Sequence, residues 1–243
     1  MVGIMKENLF KNRIAGIEPF SMLDFGSNLC GILFYNNCTM ACPYCYNVAQ
    51  AKGAAETLPA EEVIEFLENR CGKLEGIVFS GGECTVWGPK LIDDIYYVYN
   101  MGYKIKIDTN GSSPFIIKAL LEKKLIDYVA LDFKCPEYKH ELFMKSPKFY
   151  YNFKETFRIL QESGIPFETR TTVHTDIIDE DDINAILKQL EEWGYQGTHY
   201  IQFFFPAEET LGDVNPVMRH FDTSKIKSSI KVEYRNIEGN PAV

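Results

Sequence analysis

Asn37-Cys38-Thr39-Met40-Ala41-Cys42-Pro43-Tyr44-Cys45 is the stretch on which the reading of this chain turns. Its three cysteines stand at spacing C-x3-C-x2-C in one short loop, so their sulfurs can converge on a single centre. The loop directly follows Cys30–Tyr35, a short apolar and aromatic run that reads as a buried strand. Structural zinc asks for four protein ligands in a tetrahedron; the loop supplies three, with Cys84 a distant fourth. An iron–sulfur cube held by three thiolates leaves one iron without a protein ligand, and such a centre can bind a small molecule and pass it an electron. On spacing alone both readings stay open.

Outward from the loop, strand patterns alternate with helix patterns, which predicts a parallel α/β architecture. Strands are predicted at Cys30–Tyr35, Gly76–Ser80, Lys104–Asp108, Tyr128–Lys134, Phe167–Val173 and Tyr200–Phe205. Helices are predicted from Thr57-Leu58-Pro59 onward, over Lys90–Met101, Pro114–Lys123 and Asn152–Ser163, and from Asp181, where Ile183, Ile186, Leu187, Leu190 and Trp193 recur at helical spacing. Six such units fall short of the eight that close a full barrel. The expected fold is therefore an open, partial (β/α)6 barrel, a parallel sheet with outer helices. Residues 1–29 form an N-terminal extension, 30–205 the barrel core, and 206–243 a C-terminal helix and edge strand, all within a single domain. Strand parity turns Asp108, Asn110, Asp132, Lys134, Glu168, Arg170, Thr172, Tyr200 and Gln202 toward the interior. Burying that many polar groups is costly unless they pair or meet a polar ligand, and barrel enzymes place their sites at this end of the strands.

The 243 residues are 46% hydrophobic and 24% charged, which excludes wholesale disorder. The net charge of −9 argues against gripping nucleic acid or an anionic membrane through bulk charge. No apolar run approaches the roughly 18 residues of a membrane span, and the first residues lack the apolar core of a signal peptide, so a cytoplasmic location is expected. Seven cysteines, an odd count without a secretion signal, do not suggest a disulfide scaffold. Cys30, Cys71 and Cys135 read as core or incidental. None of His140, His174, His199 and His220 shows ligand spacing.

The chain resembles the radical S-adenosylmethionine (SAM) superfamily, whose signature is C-x3-C-x2-C with an aromatic before the last cysteine, the place Tyr44 fills. Phe79-Ser80-Gly81-Gly82-Glu83 looks like the family's glycine–glycine–glutamate element, in which a turn without side chains lets the backbone approach the SAM amino group. Asp108-Thr109-Asn110-Gly111-Ser112 is similar to the segment near the ribose and methionyl group. Leu131-Asp132-Phe133-Lys134 and Arg170-Thr171-Thr172 end the next two strands. The resemblance is strongest to activating enzymes of glycyl radical enzymes, especially the anaerobic ribonucleotide reductase activating proteins. It is carried by Glu18–Phe25, Cys45-Tyr46-Asn47 and Asp108-Thr109-Asn110-Gly111.

That resemblance implies a [4Fe–4S] cluster on Cys38, Cys42 and Cys45. It also implies SAM held near Tyr44, Ser80, Gly81, Gly82, Glu83, Asp108, Asn110, Asp132, Lys134 and Arg170, with Asp108, Asp132 and Lys134 beside the SAM carboxylate. The implied reaction is reductive cleavage of SAM, fed by flavodoxin or ferredoxin, and abstraction of a hydrogen from one glycine of a glycyl radical enzyme, anaerobic ribonucleotide reductase first among candidates. Two alternatives stand beside it. One is a radical SAM enzyme acting on a small molecule or peptide in a pocket supplied by Glu168, Arg170 and Tyr200; the other is a zinc-binding structural protein.

Overall fold

The computed structural model describes residues 8–144 and 148–237. Eight strands form it: β1 (Ile14–Ser21), β2 (Cys30–Tyr35), β3 (Gly76–Gly81), β4 (Lys104–Thr109), β5 (Tyr128–Asp132), β6 (Phe167–Val173), β7 (Thr198–Phe203) and β8 (Lys231–Arg235). Their order in the sheet is their order in the chain, and β1 and β8 stand at its two ends, so the sheet is not closed. β1 runs antiparallel to β2; the β2–β3, β3–β4, β6–β7 and β7–β8 pairs are parallel. The helices are α1 (Val48–Ala51), α2 (Ala60–Arg70), α3 (Pro89–Asn100), α4 (Pro114–Glu122), α5 (His140–Phe143), α6 (Phe149–Ser163) and α7 (Glu180–Glu192). The parallel α/β sheet of the partial-barrel class expected from the sequence is the one found.

The chain divides into two compact units, Met1–Thr39 with Ala49–Val129 and Asn152–Pro166, and Met40–Val48 with Ala130–Tyr151 and Phe167–Val243. In the first unit β2 and β3 are buried along almost their whole length, the pattern of parallel strands covered on both faces. Val63 and Leu67 of α2, Leu91, Ile95 and Val98 of α3, and Ile117 and Leu120 of α4 supply the buried helical stripes. Pro89 and Pro114 open their helices at the first position, where a missing N–H costs nothing. Asp94 on α3 is fully buried and takes Arg13 Nη2 (2.7 Å), the Phe10 N–H (2.8 Å) and the Tyr35 hydroxyl (2.9 Å). This network fastens the chain entering β1 to the end of β2.

In the second unit α7 buries Ile183, Ile186, Leu187 and Leu190. Asp179 caps it in a box with Asp182, each side chain accepting from the other end's backbone N–H. Trp193, just past α7, stacks on Phe133 at 5.7 Å.

Three expectations need correction. The stretch 14–21, within the expected extension, is a strand of the sheet; Gly16 and Pro19 hide its alternation, and proline is tolerated because β1 is an edge. β5 ends at Asp132, so Lys134 lies beyond it, and β7 starts at Thr198 rather than Tyr200. Among the described residues after β7 there is an edge strand but no α-helix, only a single 3-10 turn at Thr223–Lys225 capped by Asp222. Pro206 and Pro216 and the lack of an apolar helical repeat leave that segment nothing to wind around.

Candidate active site

Within the first unit, β2 delivers the chain to Cys38 through Tyr35-Asn36-Asn37, and each of these three carbonyls is engaged. Gly82 N–H donates to Tyr35 O (2.9 Å), Trp87 Nε1 to Asn36 O (2.9 Å) and Glu83 N–H to Asn37 O (2.9 Å). This explains the glycine pair sterically. A Cβ on Gly81, whose φ is +109°, would lie 2.3 Å from Tyr35 N, and one on Gly82 would lie 2.2 Å from Asn37 O. The bare turn lets β3 close onto the base of the cysteine loop, a role the sequence reading did not assign to it.

Glu83 is buried and spends its carboxylate on protein donors. Thr85 Oγ1 (2.5 Å), Thr109 Oγ1 (2.8 Å) and Thr85 N–H (3.1 Å) donate to Oε1, and Asn110 N–H (2.6 Å) to Oε2. Burial pushes the carboxyl up from its ordinary range, against the pull of Thr85, Asn110 and Thr109. Glu83 thus pins the end of β4. Asp108 accepts from Ser80 Oγ (3.1 Å) and forms an ion pair with Lys106 Nζ (3.1 Å), and Lys106 also reaches Asp24 O (2.5 Å). Lys106 is a buried lysine that sequence reasoning missed. Its signal was present, since parity that turns Ile105 and Ile107 outward turns Lys106 inward. Cys84 points its sulfur at the Phe79 (3.6 Å) and Asp108 (3.7 Å) carbonyls, and burial raises its thiol well above the ordinary value. A thiol so placed is an inert core group.

In the second unit the rest of the cysteine loop is strapped on two sides. Ala41 N–H donates to Phe143 O (2.8 Å), and Met40 and Met144 form an antiparallel bridge. From the C-terminal segment, Gly212 N–H donates to Pro43 O (2.8 Å) and Leu211 N–H to Cys45 O (2.9 Å). The Cys42–Cys45 turn closes through Cys45 N–H to Cys42 O (3.0 Å). Tyr44 is buried with its ring edge-on to Phe143 at 5.7 Å, so here it packs the loop. Asp132 is held between Lys134 Nζ (3.0 Å) and Arg170 Nε. Burial would raise its carboxyl, but the charges of Arg170 and Lys134 overcome this and lower it to about 2. Burial alone would lower Lys134; the Asp132 carboxylate and the Cys42 sulfur raise it.

Glu168 forms a two-pronged ion pair with Arg235 (2.8 and 2.9 Å), whose guanidinium lies 3.6 Å from the Tyr200 ring centroid. Arg235, on β8, was not foreseen as a partner of the interior residues. His174 is buried, with Nε2 2.7 Å from Asn215 O, and His199 faces Thr169 Oγ1 at 2.9 Å; both are core histidines.

The sequence-derived candidates therefore fall into two sets. Cys38, Ser80, Gly81, Gly82, Glu83, Asp108 and Asn110 belong to the first unit; Cys42, Tyr44, Cys45, Asp132, Lys134 and Arg170 belong to the second. Among the described residues no three His, Cys, Asp or Glu side chains gather around a position for one metal ion. Such gathering is what zinc needs. A cube does not require it, because each thiolate binds a different iron.

The profile of the Radical SAM superfamily matches residues 32–200. This chain belongs to the radical SAM superfamily. A candidate glycyl-radical enzyme activating enzyme of Methanocaldococcus jannaschii is 32% identical over 189 residues, 75% of this chain and 77% of that protein. A pyruvate formate-lyase-activating enzyme of Clostridium pasteurianum is 32% identical over 129 residues, 50% of this chain and 52% of that one. Among solved structures, anSMEcpe with bound AdoMet aligns with TM-score 0.58 at 17% identity, over 76% of this chain and 54% of its own, and that likeness is one of fold. The chain thus spans about half the length of that structure and of the clostridial relative. Radical SAM enzymes use a [4Fe–4S] cluster and SAM, the two cofactors that the family resemblance implied. No helix among the described residues is long and apolar enough to cross a membrane.

Proposed function

We propose that this radical SAM chain, read as a single domain with its core in 30–205, is an activating enzyme that installs a glycyl radical on a partner enzyme, anaerobic ribonucleoside-triphosphate reductase, in the cytoplasm. The observation that carries the reading is the 32% identity over 189 residues to a protein described as a candidate activating enzyme of that class. The donor set suits the cofactors, with three thiols at C-x3-C-x2-C spacing and a glycine turn that leaves no room for side chains beside Cys38.

In this reading Cys38, Cys42 and Cys45 hold the cluster. When bound, a reduced cluster would supply one electron to the SAM sulfonium, the chemistry by which SAM is cleaved and a hydrogen atom can be taken from a glycine Cα. Lys134 and Arg170 present fixed positive charge where a carboxylate would be received, with Asp132 keeping both cations in place. Asp108, locked by Ser80 and Lys106, offers a fixed acceptor to a ribose hydroxyl or an ammonium. Tyr44 and Phe143 pack the loop against water. Flavodoxin or ferredoxin would supply the electron. The alternative small-molecule pocket is weakened because Glu168 and Tyr200 are engaged by Arg235.

The test mixes the anaerobically reconstituted chain with the reductase, SAM and a low-potential reductant. A glycyl doublet in electron paramagnetic resonance, absent in Cys42→Ala, is the expected outcome. SAM cleavage without that doublet, on this and other glycyl radical enzymes, would overturn it.

A further inference from the structure

Asn110 is buried, just past β4, and its backbone N–H and side-chain amide are all engaged. Its backbone N–H is taken by Glu83 Oε2 (2.6 Å). Its side-chain Oδ1 accepts from Ser112 N–H (3.0 Å), which settles the orientation of the amide and leaves Nδ2 facing the cysteine loop. Nδ2 carries two hydrogens and has two acceptors, Thr39 Oγ1 at 3.0 Å and Cys38 Sγ at 3.9 Å. Thr39 Oγ1 passes its own hydrogen to Ser112 Oγ (3.0 Å). The turn behind is held from α6, where Thr156 Oγ1 donates to Gly111 O (2.8 Å) and Asn152 Nδ2 to Ser112 O (2.9 Å). All of these residues belong to the first unit. An amide with its carbonyl end fixed, one hydrogen given to Thr39 and the other turned toward a thiol sulfur is costly to leave unmatched in a buried place.

We propose that Asn110 tunes the iron–sulfur centre by donating a side-chain N–H to the Cys38 sulfur, and that Glu83 and Ser112 aim that donor. The inference rests on the reading of Cys38 as a cluster ligand. Hydrogen bonds to the sulfurs are among the factors that set a cluster's reduction potential. A donor stabilises the more negative, reduced centre, so its presence raises the potential.

The test is a redox titration of the reconstituted cluster, followed by electron paramagnetic resonance, in wild type, Asn110→Ala, Asn110→Leu and Thr156→Val. Both Asn110 variants are expected to titrate at a lower potential, with the reduced-to-oxidised ratio at fixed solution potential falling about tenfold, which for one electron is about 59 mV. Thr156→Val loosens the turn but keeps the donor, and is expected to titrate with wild type. Equal potentials in wild type and both Asn110 variants overturn the inference, as does an equal shift in Thr156→Val. Failure of both Asn110 variants to take up a cluster that the wild type holds also overturns it, because a tuning contact is dispensable for assembly. A wild-type chain that binds no iron and sulfide overturns instead the cofactor reading beneath it.

Discussion

Asp132 sits between two cations, and that placement makes its contribution to stability depend on pH. Its pKa falls from 3.8 to about 2, worth about 2 kcal/mol while the group is ionised. The folded value is the lower one, so the stabilisation is complete above about pH 4 and is lost as pH falls through 2. Asp132→Asn should therefore cost about 2 kcal/mol in urea unfolding at pH 6 and progressively less toward pH 2. A cost that does not change with pH would show that the ion pairs do not act this way. Tyr44 makes the opposite case. Its buried hydroxyl has no hydrogen-bond partner among the described residues, while its ring packs on Phe143. Tyr44→Phe keeps the ring contact and removes an unsatisfied group, so the apo chain should gain about 1 kcal/mol in the same assay. A loss of stability would point to a partner for that oxygen.

At the scale of elements, the decisive contact is the β3 turn pressed against the exit of β2. Gly82→Ala places a methyl 2.2 Å from Asn37 O, against backbone that is itself hydrogen-bonded. The expected result is about 1–3 kcal/mol of destabilisation together with loss of iron uptake, read by thermal melting and metal analysis. Full cluster content in that variant would refute the link between the turn and Cys38. Helix α7 gives a simpler case. Asp179 accepts from two backbone N–H groups at its start, at 3.0 Å each, and Asp179→Ala should cost about 1 kcal/mol in denaturant unfolding, whatever the cofactor state.

At the scale of the whole molecule, binding of cofactors should appear as stability. A ligand that binds only the folded chain adds about 2.7 kcal/mol at 100 times its dissociation constant. Anaerobic reconstitution should raise the melting temperature, SAM should raise it again, and Cys42→Ala should abolish both increments. Equal melting of the loaded and apo chains would contradict the assignment of the loop.

How much of this was legible beforehand differs from element to element. The bounds of β2 were legible from a continuous apolar and aromatic run, as in a buried parallel strand, and those of β6 from the alternation of Phe167, Thr169, Thr171 and Val173 with Glu168, Arg170 and Thr172. α7 was legible from its apolar repeat and acidic start. β1 was not, since a proline-bearing edge strand lacks the pattern of a central one, and the expected C-terminal helix, absent among the described residues, had no apolar repeat behind it. The site divides similarly. The cysteine spacing, Asp108, Asp132 and Arg170 came from motif and parity; Arg235 did not, because an ion pair formed across strands leaves no trace in either strand's own pattern, whereas Lys106 was passed over although parity turns it inward beside Asp108.

Taken by itself, the sequence determined the alternation of strand and helix, the inward rows of polar residues and the loop chemistry, since these depend on neighbours along the chain. Only tertiary structure decided what each inward group meets. Glu83 is consumed by Thr85, Thr109 and Asn110, Glu168 by Arg235, and the glycine pair by the backbone before Cys38. The reason is physical: hydrogen bonds, ion pairs and van der Waals contacts act over a few ångströms in space, and residues 27 or 67 positions apart reach that range only once the sheet has formed.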